Sequence, residues 1–265
     1  QISEDISDAV AKLRGAKVLL VEDNEINQEL ALELLTNNGL IPTLAENGQI
    51  ALDILENQFF DGILMDCQMP VMDGYTASQH IRKMDGFEDL PIIAMAANVM
   101  AGDRAKVLEA GMNDHIGKPI NVKDMFSTMA KWFVPSEPLS EPDVQETSQS
   151  VGPEEESLPD LPGIDIDKGM NVMQNNVGLY KKLLKKFRSG YADFESSFKE
   201  AQSEEDEEAA TRLAHSLKGV AGNIGAVGVH DLAKKLETAC KQNNPEDTIE
   251  VLLKETAAEV TSVIE

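Results

Sequence analysis

Lys17-Val18-Leu19-Leu20-Val21-Glu22-Asp23-Asn24 decides the fold. Four apolar residues in a row, stopped by two acids, fit a strand buried on both faces, and burial on both faces belongs to parallel sheets. The next stretch switches period. Ile26, Leu30 and Leu34 recur at helical spacing, with Leu35 beside them, and Asn38-Gly39 supplies a helix stop. The alternation then repeats. Residues 40–45, 62–65, 91–95 and 114–117 read as strands, and 49–56, 75–83, 104–110 and 122–132 read as helices. Five strands alternating with five helices predict an α/β doubly wound, five-stranded parallel sheet covered on both faces.

Residues 135–161 break this pattern. Proline recurs, acids accumulate, and Lys and Arg are absent, so the segment reads as an extended, self-repelling linker with a flexible span of roughly 30 Å. Beyond it the sequence turns helical. Segments 177–201, 204–224, 229–242 and 246–264, joined by short turns, predict an all-α four-helix bundle. The domain reading is therefore a lead-in helix or arm at 1–16, an α/β domain at 17–134, the linker at 135–161 and a helical domain at 162–265.

Composition narrows the function. A net charge of −24 argues against binding nucleic acid or an acidic membrane surface, because both need clustered Lys and Arg. The chain shows no apolar run long enough to span a membrane. The first residue is Gln, which suggests a piece of a longer protein with room for a membrane anchor upstream. Cys67 and Cys240 lie far apart and outside any Cys-x-x-Cys pair, which fits a reducing cytoplasm better than a zinc site. No P-loop or glycine-rich nucleotide motif is present, so self-phosphorylation from ATP is not expected and enzyme status stays open.

Two clusters carry chemistry. In an open parallel sheet, ligands bind beyond the carboxyl ends of the strands. Glu22 and Asp23 follow the first strand, Asp66 ends the third and Lys118 follows the fifth, so one fold gathers all four at one edge. Three carboxylates together repel unless a cation neutralises them, and hard oxygen ligands favour Mg²⁺. A carboxylate can also attack phosphorus to give an acyl phosphate. Lys118 offers a point charge for an arriving phosphoryl group, and a cis bond to Pro119 would aim that ammonium inward. The plainer reading, that Asp23 or Asn24 merely caps the next helix, stands beside this one.

The second cluster is Ala214-His215-Ser216-Leu217-Lys218-Gly219. Leu213, Leu217, Val220 and Ile224 form an apolar stripe, and His215 lies about 200° round the helix from Leu213. It is therefore expected to be exposed. Lys218, Gly219 and Gly222 share its face. A phosphoryl acceptor needs such access, a nearby cation to steady the charge, and small neighbours that leave room for a partner. His230, His80 and Cys67 are read as structural or surface residues.

On these residues the chain resembles two families. Val21-Glu22-Asp23-Asn24-Glu25-Ile26-Asn27, Met69-Pro70-Val71-Met72-Asp73-Gly74 and Lys118-Pro119 are close to the pattern of a response-regulator receiver domain, a flavodoxin-like fold. Ala214–Gly219 resembles the motif of a histidine-containing phosphotransfer (HPt) domain. The order resembles the C-terminal end of a hybrid sensor histidine kinase. The resemblance implies a phosphorelay: Asp66 accepts from an upstream kinase histidine, and His215, assisted by Lys218, delivers to a downstream response-regulator receiver. Asp23 and Asp66 then bind Mg²⁺, with Glu22 and the Gln68 backbone carbonyl helping. One departure stands out. The family carries Ser or Thr where this chain has Ala96, and His115 takes the usual aromatic position. Ala96 keeps a second reading open, a receiver that docks and regulates partners without being phosphorylated.

Overall fold

In the computed structural model, residues 2–96, 101–137, 161–203, 206 and 208–265 are described. The linker expectation lies outside them except at its ends, residues 135–137 and 161. The elements of the first half are α1 (Ile2–Leu13), β1 (Lys17–Val21), α2 (Glu25–Asn37), β2 (Ile41–Ala45), α3 (Gly48–Leu55), β3 (Gly62–Asp66) and α4 (Gly74–Ile81). They are followed by β4 (Ile92–Ala96), α5 (Ala101–Glu109), β5 (Asp114–Gly117) and α6 (Val122–Trp132). All strand pairs are parallel, in the order β2-β1-β3-β4-β5. The strand order reverses beside β1, which leaves a crevice at the carboxyl ends of β1 and β3.

Side chains alternate across the sheet, so each apolar run feeds two cores. Val18, Leu20, Leu64, Ile93 and Met95 pack towards α1, α2 and α6. Leu19, Val21, Ile63, Met65, Ile92 and Ala94 pack towards α3, α4 and α5. The lead-in segment is a helix, not an arm: Ala9 and Leu13 of α1 are buried in the first of these cores.

The second half contains α7 (Ile166–Val172), α8 (Val177–Tyr191), α9 (Phe194–Gln202), α10 (Ala209–Ile224), α11 (Val227–Lys241) and α12 (Glu246–Ile264). The expected single helix over 177–201 breaks at Ala192-Asp193. Gly190 and Asp193 are poor helix formers just there, and the break lets Tyr191, Phe194 and Phe198 all turn inward. α9 to α12 form the body of the bundle. α10 ends at Gly225, whose φ of +84° suits glycine, and whose missing side chain leaves room for the Asp165 carbonyl.

The two halves are packed together. α2 lies against α8 and α10, and one apolar cluster continues from the sheet into the bundle. No helix among the described residues is long and apolar enough to cross a membrane.

Candidate functional site

Sheet topology assembles the acidic pocket as expected. Oxygens of Glu22, Asp23 and Asp66 lie within 4.8 Å of one another. The Lys118 ammonium reaches in from the loop after β5 and donates to Glu22 Oε2 at 2.7 Å and to Asp66 Oδ2 at 2.6 Å. The Lys118–Pro119 bond is cis. The backbone N–H of Gln68 donates to Asp66 Oδ1 at 3.1 Å. Gly74 is dictated by this geometry, since a Cβ there would sit 2.0 Å from the Asp66 carbonyl oxygen. The capping role falls to Asn24, whose side chain accepts from the N–H groups of Ile26 and Asn27. Asp23 is thereby left free for the pocket.

Electrostatics follow from crowding and burial. Desolvation, then the Asp66 charge, pushes the Asp23 carboxyl up to about 6. Asp66 is also raised, by burial first, with Lys118 pulling it back. Burial opposes the charge on Lys118, but Asp66 and Glu22 more than offset this and hold it firmly protonated. Three carboxylates against one ammonium leave the pocket with surplus negative charge, a donor set suited to a divalent cation.

The histidine pocket differs from the expectation in two respects, the burial of His215 and the pairing of Lys218. His215 is 5% exposed. What covers its face is the α/β domain. The atoms nearest to Gly219 are Asn27 and Lys118, and those nearest to Gly222 include Pro119. Sequence periodicity places His215 off the bundle's own apolar stripe, but it carries no information on a second domain docking there. The charges of Asp66 and Lys118 both reach the imidazole.

Within the bundle, His215 Nδ1 pairs with Glu237 Oε1 of α11 at 2.9 Å. Nε2 is buried with no hydrogen-bond partner among the described residues. Glu237 also takes Lys218 on its other oxygen, and Lys241 at 2.7 Å. Lys218, expected to be available beside His215, is thus buried and already paired. Burial would raise the Glu237 carboxyl, but His215 and Lys218 hold it well below the usual range. Desolvation lowers His215, with Glu237 opposing. Glu237 was not foreseen in the sequence. Its one signal is register: Val229, Ala233 and Glu237 are spaced at i, i+4 and i+8, which puts an acid in line with core positions. His230 is structural, with Nδ1 at 2.9 Å from the Lys218 carbonyl oxygen. His80 is exposed and Cys67 is buried.

Comparison with known proteins finds two domain families along the chain. Residues 18–130 match the response regulator receiver domain model, and residues 182–264 match the Hpt domain model. The chain thus carries a receiver domain followed by an HPt domain. It is 28% identical over 237 residues to the sensor protein GacS of Pseudomonas syringae pv. syringae, covering 88% of this chain and 25% of that protein. It is likewise 28% identical over 246 residues to the aerobic respiration control sensor protein ArcB of Escherichia coli K12, covering 89% of this chain and 30% of that protein. The chain therefore spans about a quarter to a third of the length of these sensors. A solved receiver domain of a Pseudomonas aeruginosa sensor histidine kinase, described with a magnesium ion in its active-site cleft, is 42% identical over 44% of this chain and 97% of its own, with a TM-score of 0.42.

Proposed function

We propose that Asp66 and His215 are successive carriers of one phosphoryl group. An upstream kinase histidine supplies Asp66, and a downstream response-regulator receiver takes the group from His215. The observation that carries this reading is the state of the imidazole. Nδ1 is held by Glu237, while Nε2 is buried without a partner on the face covered by the acidic pocket.

The transfer can be written with these groups alone. The lone pair of neutral Nε2 attacks phosphorus, the P–N bond forms, and the P–O bond to Asp66 breaks. Asp66 recovers its carboxylate, with the Lys118 ammonium beside it. The proton stays on Nδ1, where the Glu237 carboxylate stabilises the positive charge that the ring acquires. Desolvation of His215 supports this step by keeping the nucleophile neutral. Asp23 and Asp66 would hold Mg²⁺, with Glu22 and the Gln68 carbonyl assisting. When bound, the ion neutralises the carboxylates and the phosphoryl oxygens.

Loading the chain from a small acyl phosphate with Mg²⁺ tests this reading. Asp66→Asn should abolish entry through the receiver. His215→Gln should leave base-labile label on Asp66 and no acid-labile label. Acid-labile label that persists in His215→Gln would overturn it. The reading places this part of the protein in the cytoplasm, and both of its cysteines are free thiols.

A further inference from the structure

Asn223 lies eight residues past His215 on α10, about 12 Å along the helix axis. It is 1% exposed, yet among the described residues its side chain takes no hydrogen-bond partner within the bundle. Its Oδ1 accepts from the backbone N–H of Ile120 at 2.9 Å. Its Nδ2 donates to Asn27 Oδ1 at 3.1 Å. Both partners belong to the receiver, so the hydrogen-bonding capacity of this amide is used across the interface rather than for the bundle's own fold. Gly222, next to it, leaves the space into which Pro119 packs.

The two partners are the supports of the acidic pocket. Ile120 is two residues from Lys118, on the loop that aims the ammonium. Asn27 donates from its Nδ2 to Glu22 Oε1 at 3.0 Å. Glu22 accepts from Lys118 through its other oxygen, and Lys118 donates to Asp66. A continuous hydrogen-bonded run therefore connects Asn223 to the phosphoryl acceptor. A histidine contact alone leaves a helix free to slide and rotate about one point. A second contact 12 Å away, made by a side chain that both donates and accepts, fixes its register.

We infer that Asn223 is the positioning residue that sets the register of His215 against Asp66, and with it the bundle's selectivity for a receiver carrying an amide at the place of Asn27. This inference rests on the relay reading above. Asn223 touches neither reacting atom and acts through alignment. With the domains apart, its amide faces water, so the bundle should fold equally well without it.

The test uses the full chain. Asn223→Ala is loaded from acetyl phosphate with Mg²⁺, and the appearance of acid-labile label on His215 is followed by rapid quench. Loading of Asp66 should match wild type, transfer to His215 should slow at least tenfold, and the melting temperature of the bundle should hold. Amide hydrogen exchange gives the readout that a merely structural role would not move. Protection at Ile120 should fall while protection within α10 stays. The Asn223→Ala effect should also shrink when Asn27 is already Ala. Unchanged transfer with unchanged Ile120 protection would overturn the inference, as would a general loss of protection through α10. If wild type loads Asp66 but never labels His215, the relay reading fails instead, and Ile120 protection still judges whether Asn223 fixes the register of the helix.

Discussion

Glu237 of α11 holds Nδ1 of His215 at 2.9 Å, and the same carboxylate neutralises Lys218 and Lys241. One buried acid thus serves three cationic or potentially cationic neighbours. Glu237→Gln keeps the shape and removes the charge. Transfer to His215 should slow about tenfold, since a charged hydrogen bond contributes roughly 1.5 kcal/mol more than a neutral one. The bundle should lose stability as well, by about 1–3 kcal/mol, because Lys218 stays buried without its counter-charge. Rapid-quench transfer rates and thermal melts read the two effects separately. Full transfer in this variant would remove Glu237 from the mechanism.

The two glycines on the His215 face should behave differently. A Cβ at Gly219 would make ordinary contacts, at 3.8 Å to Asn27 and 3.9 Å to Lys118. A Cβ at Gly222 would come within 2.9 Å of both Pro119 and His230. Gly219→Ala is expected to stabilise the helix by up to about 1 kcal/mol and to leave the domains docked. Gly222→Ala is expected to loosen the interface and slow transfer several-fold. Solution scattering and transfer rates on the two variants decide this, and the reverse ranking would contradict the docked arrangement.

Much of this site was legible in the sequence, and the boundary is physical. Glu22, Asp23, Asp66 and Lys118 could be grouped because a parallel sheet sends the carboxyl ends of its strands to one edge, whatever the details. His215 could be placed off the apolar stripe for a similarly local reason. Glu237, Asn27 and Asn223 were not legible as partners. Their contacts join α11 to α10, or one domain to the other, and no local period encodes which polar side chain faces which. The break between α8 and α9 was missed because Phe187, Phe194 and Phe198 mimic a continuous apolar face. The burial of His215 escaped for the same reason as Asn223: it belongs to the docked pair rather than to the bundle.

Docking should depend on pH through His215. Burial against Asp66, Lys118 and Glu237 lowers its pKa, with Lys118 adding to the depression and the two acids opposing it. Separated, the imidazole returns towards its ordinary value of about 6.5. Between the depressed and ordinary values the separated state binds more protons, so docking strengthens as pH rises through that window and is lost as pH falls below it. Asp23, raised to about 6, titrates in the same range. The comparison with His215→Gln isolates the histidine share. Chemical shifts at Ile120 followed from about pH 5 to 8 should show a steeper rise in wild type than in His215→Gln. Parallel curves would refute the linkage.

Ala96 ends β4 and is buried, and its carbonyl accepts from the Lys118 N–H at 2.8 Å. It therefore sits beside Lys118, which we propose steadies the phosphoryl group, but it offers no hydroxyl. A receiver lacking that hydrogen bond holds its acyl phosphate less firmly, which suits a station that passes the group on. Ala96→Thr adds one donor at this edge, and one neutral-to-charged hydrogen bond contributes about 1.5–3 kcal/mol. Measured in a His215→Gln background, where label has no onward route, the lifetime of phospho-Asp66 should lengthen by roughly tenfold or more, as such a bond implies. In the otherwise wild-type chain the same substitution should shift the partition of label from His215 back towards Asp66. A lengthened lifetime without that shift would mean that the two acceptors do not share one pool of phosphoryl groups, and an unchanged lifetime would mean that Ala96 has no part in retaining the group.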